Sequence, residues 1–159
     1  MRGKLFIYAI IAFFALPSFS YAQVKNPAMA SDFKLADLNN KFHELREYKN
    51  KENVLLFFWT TWCPFCRKEV KKLSLLYKGL KSDGVELLAI DAGEPYDRIK
   101  RFVKANDIKF EVLLDQDSSV SDSYGIMGVP TFFLIDKQGS IVFEDNDFPE
   151  KYKAILPKD

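Results

Sequence analysis

Residues 54–69 read VLLFFWTTWCPFCRKE, and the order of residue types along this stretch decides the fold. Val54 to Trp59 is an unbroken apolar run, as expected of a central strand buried on both faces. Pro64 then opens a pattern in which Cys66, Val70, Leu73, Leu76, Tyr77 and Leu80 recur at spacings of three and four. That is the period of an amphipathic helix, and Asp83-Gly84 ends it. Cys63 therefore falls at the helix N-cap and Pro64 at the first helical position, where its missing N–H costs nothing. Cys66 follows one turn on. The sulfur of Cys63 faces the free amides of Phe65 and Cys66 and the positive end of the helix dipole, which favours thiolate over thiol. Cys66 is expected to be less exposed and close enough to form a disulfide. On this placement Cys63 is the nucleophile and Cys66 the resolving thiol of a redox-active pair.

Two plainer readings compete with redox chemistry. A metal site wants four ligands, and only His43 and carboxylates could complete one begun by two cysteines, so neither a metal nor a cofactor is expected. A purely structural disulfide rarely closes so short a loop, because little entropy is removed from the unfolded chain. Composition narrows the remainder. Two cysteines among 159 residues exclude a disulfide framework, and the single His43 argues against Ser-His-Asp chemistry. His43 itself reads as a surface residue of an N-terminal hairpin. The balance of 23 Lys+Arg against 22 Asp+Glu excludes a strong electrostatic case for nucleic acid. With 48% apolar residues and 15 Phe the chain can fill one sizeable core, and its length suits one domain.

Outward from the cysteines, Phe33, Leu35 and Leu38, then Asn39-Asn40, then Phe42 and Leu45 suggest two short strands around a turn. Val85 to Ile90 reads as a second buried strand. Ile99, Phe102 and Val103 mark a second amphipathic helix after Pro95, and Phe110 to Leu114 a short strand. Ser118 to Tyr124 forms a short helix closed by Gly125. Thr131 to Ile135 and Ile141 to Phe143 flank a hairpin turn at Asp136-Lys137-Gln138-Gly139, and Glu150 to Leu156 is a last short helix. This order calls for an α/β fold with a mixed sheet covered on both faces.

The first 22 residues read differently. Arg2 and Lys4 precede twelve apolar residues, Leu5 to Leu16, and Ser20-Tyr21-Ala22 fits the small-x-small pattern of a cleavage site. This is the anatomy of a secretory signal, and the run is shorter than the roughly 18 residues a membrane span needs. An uncleaved anchor is the alternative. Residues 23–31 then form a short arm and 32–159 the domain, which is expected to work outside the cytoplasm as a monomer.

The segments FWTTWCPFCRKE, GVELLAIDAGE and VLLDQDSSVSDSYGIMGVPTFFLIDKQG resemble the thioredoxin-like TlpA/ResA group of extracytoplasmic thiol–disulfide oxidoreductases. The likeness runs from Asp32 to Ile155. It implies a thioredoxin fold with an N-terminal β-hairpin extension, a cis peptide before Pro130, and pairing of a substrate's chain with the backbone at Val129 and Pro130. It also implies a role for Glu69, whose carboxylate could take or give a proton as thiolates form; the competing reading is a solvated helix carboxylate beside Arg67, Lys68 and Lys71. Trp62, Pro64 and Phe65 become candidate substrate contacts, whereas Trp59 reads as core. Glu94 fits either a place near the site or a helix cap.

The group's association is with reduction of protein disulfides in c-type cytochrome maturation, with apocytochrome as substrate and a membrane thiol as electron donor. Two departures keep the direction open. Phe57 stands where thioredoxin has a buried Asp, and proline comes first in the Pro64-Phe65 dipeptide, as in the oxidising DsbA type. An oxidase or isomerase of the same fold is therefore one alternative. A peroxiredoxin-like peroxidase is another, supported by Thr60-x-x-Cys63 but not by Leu56, which stands where its proline belongs. A chaperone or metal-delivery module ranks last.

Overall fold

A computed structural model describes residues 28–157 of the chain. The expected leader, residues 1–22, and the arm up to residue 27 lie outside the described residues. Β-strand β3 (Asn53–Trp59) is the centre of a five-stranded sheet, and all seven of its residues are buried. It pairs in parallel with β4 (Val85–Ala92), which pairs in parallel with β5 (Glu111–Asp115). On its other side β3 runs antiparallel to β6 (Thr131–Ile135), and β6 to the edge strand β7 (Ile141–Asp145). A separate hairpin, β1 (Lys34–Ala36) and β2 (Phe42–Glu44), lies against β5 through a bridge from Asp37 to Leu113. The expected mixed α/β sheet of the thioredoxin fold and its N-terminal hairpin are thus present.

Alternation along β3 divides the core in two. Leu55, Phe57 and Trp59 face helices α1 (Pro64–Ser82) and α2 (Tyr96–Ala105), packing with Val70, Leu73, Leu80 and Ile99. Val54, Leu56 and Phe58 face the hairpin, the 3-10 turn Leu45–Tyr48 and the short helix α3 (Ser119–Ser123). A final helix, α4 (Tyr152–Ile155), closes the first face. Each fully buried Leu or Phe contributes about 1.5–3 kcal/mol, so these two layers carry most of the stabilisation. No helix among the described residues is long and apolar enough to cross a membrane.

Helix α1 carries the site, and its limits follow from local chemistry. Pro64 starts it after the extended Cys63, and Gly84, at φ +71°, takes the left-handed turn that leads into β4. Leu76, expected on the apolar stripe, is more than a third exposed. At 3.6 residues per turn it lies about 80° from the stripe's centre, while Cys66, Val70, Leu73, Tyr77 and Leu80 stay within about 40°.

His43 is a second correction: it is buried at 3% exposure and not a surface residue. In β2 it pairs with Leu35, so both point toward the sheet edge, and the alternation turns Phe42 outward, at 58% exposed.

Helix α1 packs through single large side chains, and Leu73→Ala is expected to cost about 2–5 kcal/mol in urea unfolding. Leu75→Ala, on the solvent side two residues on, is expected to stay within about 0.5 kcal/mol of the parent. Equal losses for the two would refute this orientation of α1.

Candidate active site

The two thiols are both free, and both sit under the surface: Cys63 is 4% exposed and Cys66 fully buried. Cys63 is the N-cap of α1, and its Sγ accepts a hydrogen bond from the Cys66 amide at 3.2 Å. The Cys66 amide is thus the free helix-end donor that reaches the sulfur. On its other side the Cys63 thiol donates to the Val129 carbonyl at 3.5 Å, and the Val129–Pro130 peptide is cis. Burial pushes the Cys66 thiol up, and the neighbouring Cys63 adds to the shift. Cys66 is therefore held as a thiol, which is what a resolving role would require of it.

A shallow groove passes the dithiol. Phe65, Lys68 and Glu69 of α1 form one wall, and Gly128, Val129 and Pro130 the other, with Asn146 and Asp147 at the end. Trp62 and Phe65 stand out of the surface at 62% and 66% exposure, and Met127 is almost fully exposed two residues before Val129. Trp59, in contrast, is completely buried and stacks on Phe57. Glu69 is mostly covered, and its Oε2 has no hydrogen-bond partner, the nearest cation being Lys72 at 3.7 Å. The structure thus brings Glu69 into the wall of the groove with Phe65, Val129 and Pro130, rather than leaving it on the solvent face of α1.

Of the groups that hold this geometry from behind, the sequence left Glu94 open between a place near the site and a cap, and gave no sign of its partner Thr61 or of Asp91. Glu94 is buried, and its carboxylate accepts from both the amide and the hydroxyl of Thr61, the latter at 2.8 Å. Arg67 completes the grip by donating from Nε to the Thr61 carbonyl at 2.8 Å. Thr61 is therefore fixed at three points, two residues before Cys63. Burial works against the Glu94 carboxylate, but the Thr61 donors, together with Asp91 and with Arg98 at 3.4 Å, hold Glu94 below the usual range. Asp91, fully buried, accepts the Glu94 amide at 3.0 Å. Burial, with the Glu94 carboxylate beside it, pushes Asp91 up to about 8, so it carries the proton of the pair at neutral pH.

Asn146, also missed, donates from Nδ2 to the Pro130 carbonyl at 2.7 Å and to Thr131 Oγ1 at 3.1 Å, pinning the proline segment. No local signal pointed to it, whereas Glu94, in the loop after a buried strand that ends beside the CxxC strand, does lie near the site as one of its two readings had it.

Asp91 makes folding stability depend on pH in a defined direction. Its folded pKa lies above the unfolded value of 3.8, so its contribution is complete below that pH and is lost as pH rises through about 8. Asp91→Asn is expected to flatten the fall in urea midpoint between about pH 4 and pH 8. An unchanged slope in the variant would show that Asp91 is ionised throughout.

Comparison with known proteins agrees with this geometry. The chain is 43% identical over 115 residues to the thiol-disulfide oxidoreductase ResA of Bacillus thuringiensis subsp. konkukian (strain 97-27), covering 72% of this chain and 66% of the relative. It is 42% identical over 113 residues to ResA of Bacillus subtilis (strain 168), covering 71% and 63%. The chain thus spans slightly under two thirds of the length of these relatives. The crystal structure of StoA from Bacillus subtilis superposes with a TM-score of 0.68 at 26% identity, covering 81% of this chain and 98% of that one. The model of the AhpC/TSA family matches residues 27–144, and the chain belongs to that family, within which it is similar to the ResA proteins.

Proposed function

We propose that this chain is an extracytoplasmic thiol–disulfide oxidoreductase that reduces disulfides in protein substrates. The observation that carries the reading is the placement of Cys63 Sγ, which accepts from a helix-end amide and sits 3.5 Å from the carbonyl of Val129, a residue that lines the groove. A substrate strand laid along Val129 and Pro130, with Trp62 and Phe65 as apolar contacts and Pro64 shaping the helix start, brings its disulfide to Cys63. The Cys63 thiolate attacks one substrate sulfur, and the other leaves as a thiolate that takes up a proton. Cys66 then loses its proton, with Glu69 as the acceptor, and attacks Cys63. This breaks the mixed disulfide and releases the second substrate thiol. Two electrons pass to the substrate, and a Cys63–Cys66 disulfide remains for a membrane thiol donor to reduce.

Location outside the cytoplasm is supported by the leader pattern of residues 1–22, followed by the arm 23–31 and the domain 32–159. Apocytochrome c is the proposed substrate on the likeness to ResA. The opposite direction has one observation in its favour: the Cys66 amide bond to Cys63 stabilises the reduced pair, which raises the potential. A potential near or below about −250 mV in defined thiol buffers supports the reductase, and one between about −120 and −180 mV supports an oxidase or isomerase.

Cys63→Ser is expected to abolish dithiol-driven insulin reduction, and Cys66→Ser to accumulate a covalent adduct with the substrate on non-reducing gels. Activity retained by Cys63→Ser, or peroxide consumption faster than that of free dithiol, would overturn the proposal. Glu69→Gln is expected to slow the exchange by about 10²-fold or more, with the adduct building up because resolution is the impaired step.

A further inference from the structure

On the far edge of the sheet from Pro130, the hairpin and β5 bring three potential ligand atoms together. His43 Nε2 lies 3.3 Å from Asp37 Oδ2 and 3.8 Å from Glu111 Oε2, and the three atoms fall within 4.8 Å of one another. We propose that Asp37, His43 and Glu111 form a binding site for a divalent transition metal, zinc fitting best, that staples the N-terminal hairpin to the edge of the sheet.

At 3.3 Å the His43–Asp37 contact is a long hydrogen bond, and its separation also suits a shared ion. A short N–H···O bond spans about 2.9 Å, whereas two ligands of a tetrahedral zinc at about 2.0–2.1 Å each stand roughly 3.3–3.4 Å apart. His43 to Asp37 already has that spacing, and Glu111, on a partly exposed side chain, needs to close by a few tenths of an ångström toward His43 and by no more than about 1.5 Å toward Asp37. Two of the three ligands are held from behind. Asp37 Oδ1 accepts the amides of Asn39 at 2.7 Å and Lys41 at 3.0 Å, which leaves Oδ2 aimed at the imidazole. His43 Nδ1 lies 3.3 Å from the Tyr48 hydroxyl, and donation from Nδ1 to that oxygen leaves the Nε2 lone pair facing the two carboxylates.

The charge balance points the same way. The ion pair that the structure shows for Asp37, and for Glu111, is the one with His43, so two acids converge on a single imidazole. Asp37 and His43 are almost fully buried, while Glu111 is 39% exposed and is the side from which an ion would enter. An imidazole ligand disfavours calcium and magnesium, which take oxygen donors. The site lies away from the dithiol and revises the expectation, drawn from the CxxC, that the chain has no metal centre.

The test uses the full-length chain carrying Cys63→Ser and Cys66→Ser, so that the thiols cannot supply the ligands. After dialysis against a chelator, zinc is titrated in competition with a chromophoric chelator, and the melting temperature is followed with and without zinc. One equivalent of binding and a rise in Tm are expected, with Glu111→Gln and His43→Gln each weakening the affinity by about 10-fold or more and removing the Tm rise. If His43→Gln fails to fold, the partly exposed Glu111→Gln decides alone. Absence of stoichiometric binding, or binding unaffected by Glu111→Gln, would overturn the site.

Discussion

The grip of the Glu94 carboxylate on Thr61 is the constraint on which the reactive geometry depends. The segment Thr60–Trp62 leaves a fully buried strand and must deliver Cys63 to the first turn of α1 at one position only. Thr61 is held by its amide and hydroxyl to Glu94, and by its carbonyl to Arg67 of α1. A carboxylate in so dry a place costs several kcal/mol unless its oxygens are satisfied, and Thr61 satisfies both. Strand β3, the loop after β4 and helix α1 are thereby locked together behind the dithiol.

The same region shows how this chain answers the loss of thioredoxin's buried acid. Phe57 fills that place and stacks on Phe132, so the sheet under the cysteines is apolar there. A buried acid is present all the same, one step further along on the neighbouring strand: Asp91 is the register partner of Trp59 and faces the same layer. It accepts the Glu94 amide and so stands behind the residue that grips Thr61, which fits a positioning role. Nearer the surface, Glu69 in the wall of the groove has one oxygen without a hydrogen-bond partner.

Much of the fold was legible because it is written in local patterns. The run Val54 to Trp59, the three-and-four spacing of α1 and the turn chemistry at Asp136 to Gly139 each specify an element, and the elements occur in the expected order. The CxxC was legible for the same reason, since N-cap, proline and second cysteine lie within one helical turn. What was not legible depends on contacts between distant segments. Glu94 meets Thr61 across 33 residues, and Asn146 meets Pro130 across 16. Leu76 failed because a stripe has an edge, and His43 because a short hairpin's inward face is set by what it packs on.

One consequence concerns how firmness is distributed through the molecule. Trp59 Nε1, Thr60 Oγ1 and Asp91 Oδ2 are all buried without hydrogen-bond partners, and all three lie where β3 and β4 end beneath the cysteines. Polar groups taken out of water and left unpaired lower the cost of local opening. The opposite end of the same strands, around Val54, Leu55 and Leu87, has no such debt and is packed on both faces. The two ends of these strands therefore differ: the base is fully packed, and the end next to the sulfurs carries unpaired polar groups that the clamp on Thr61 must hold in place.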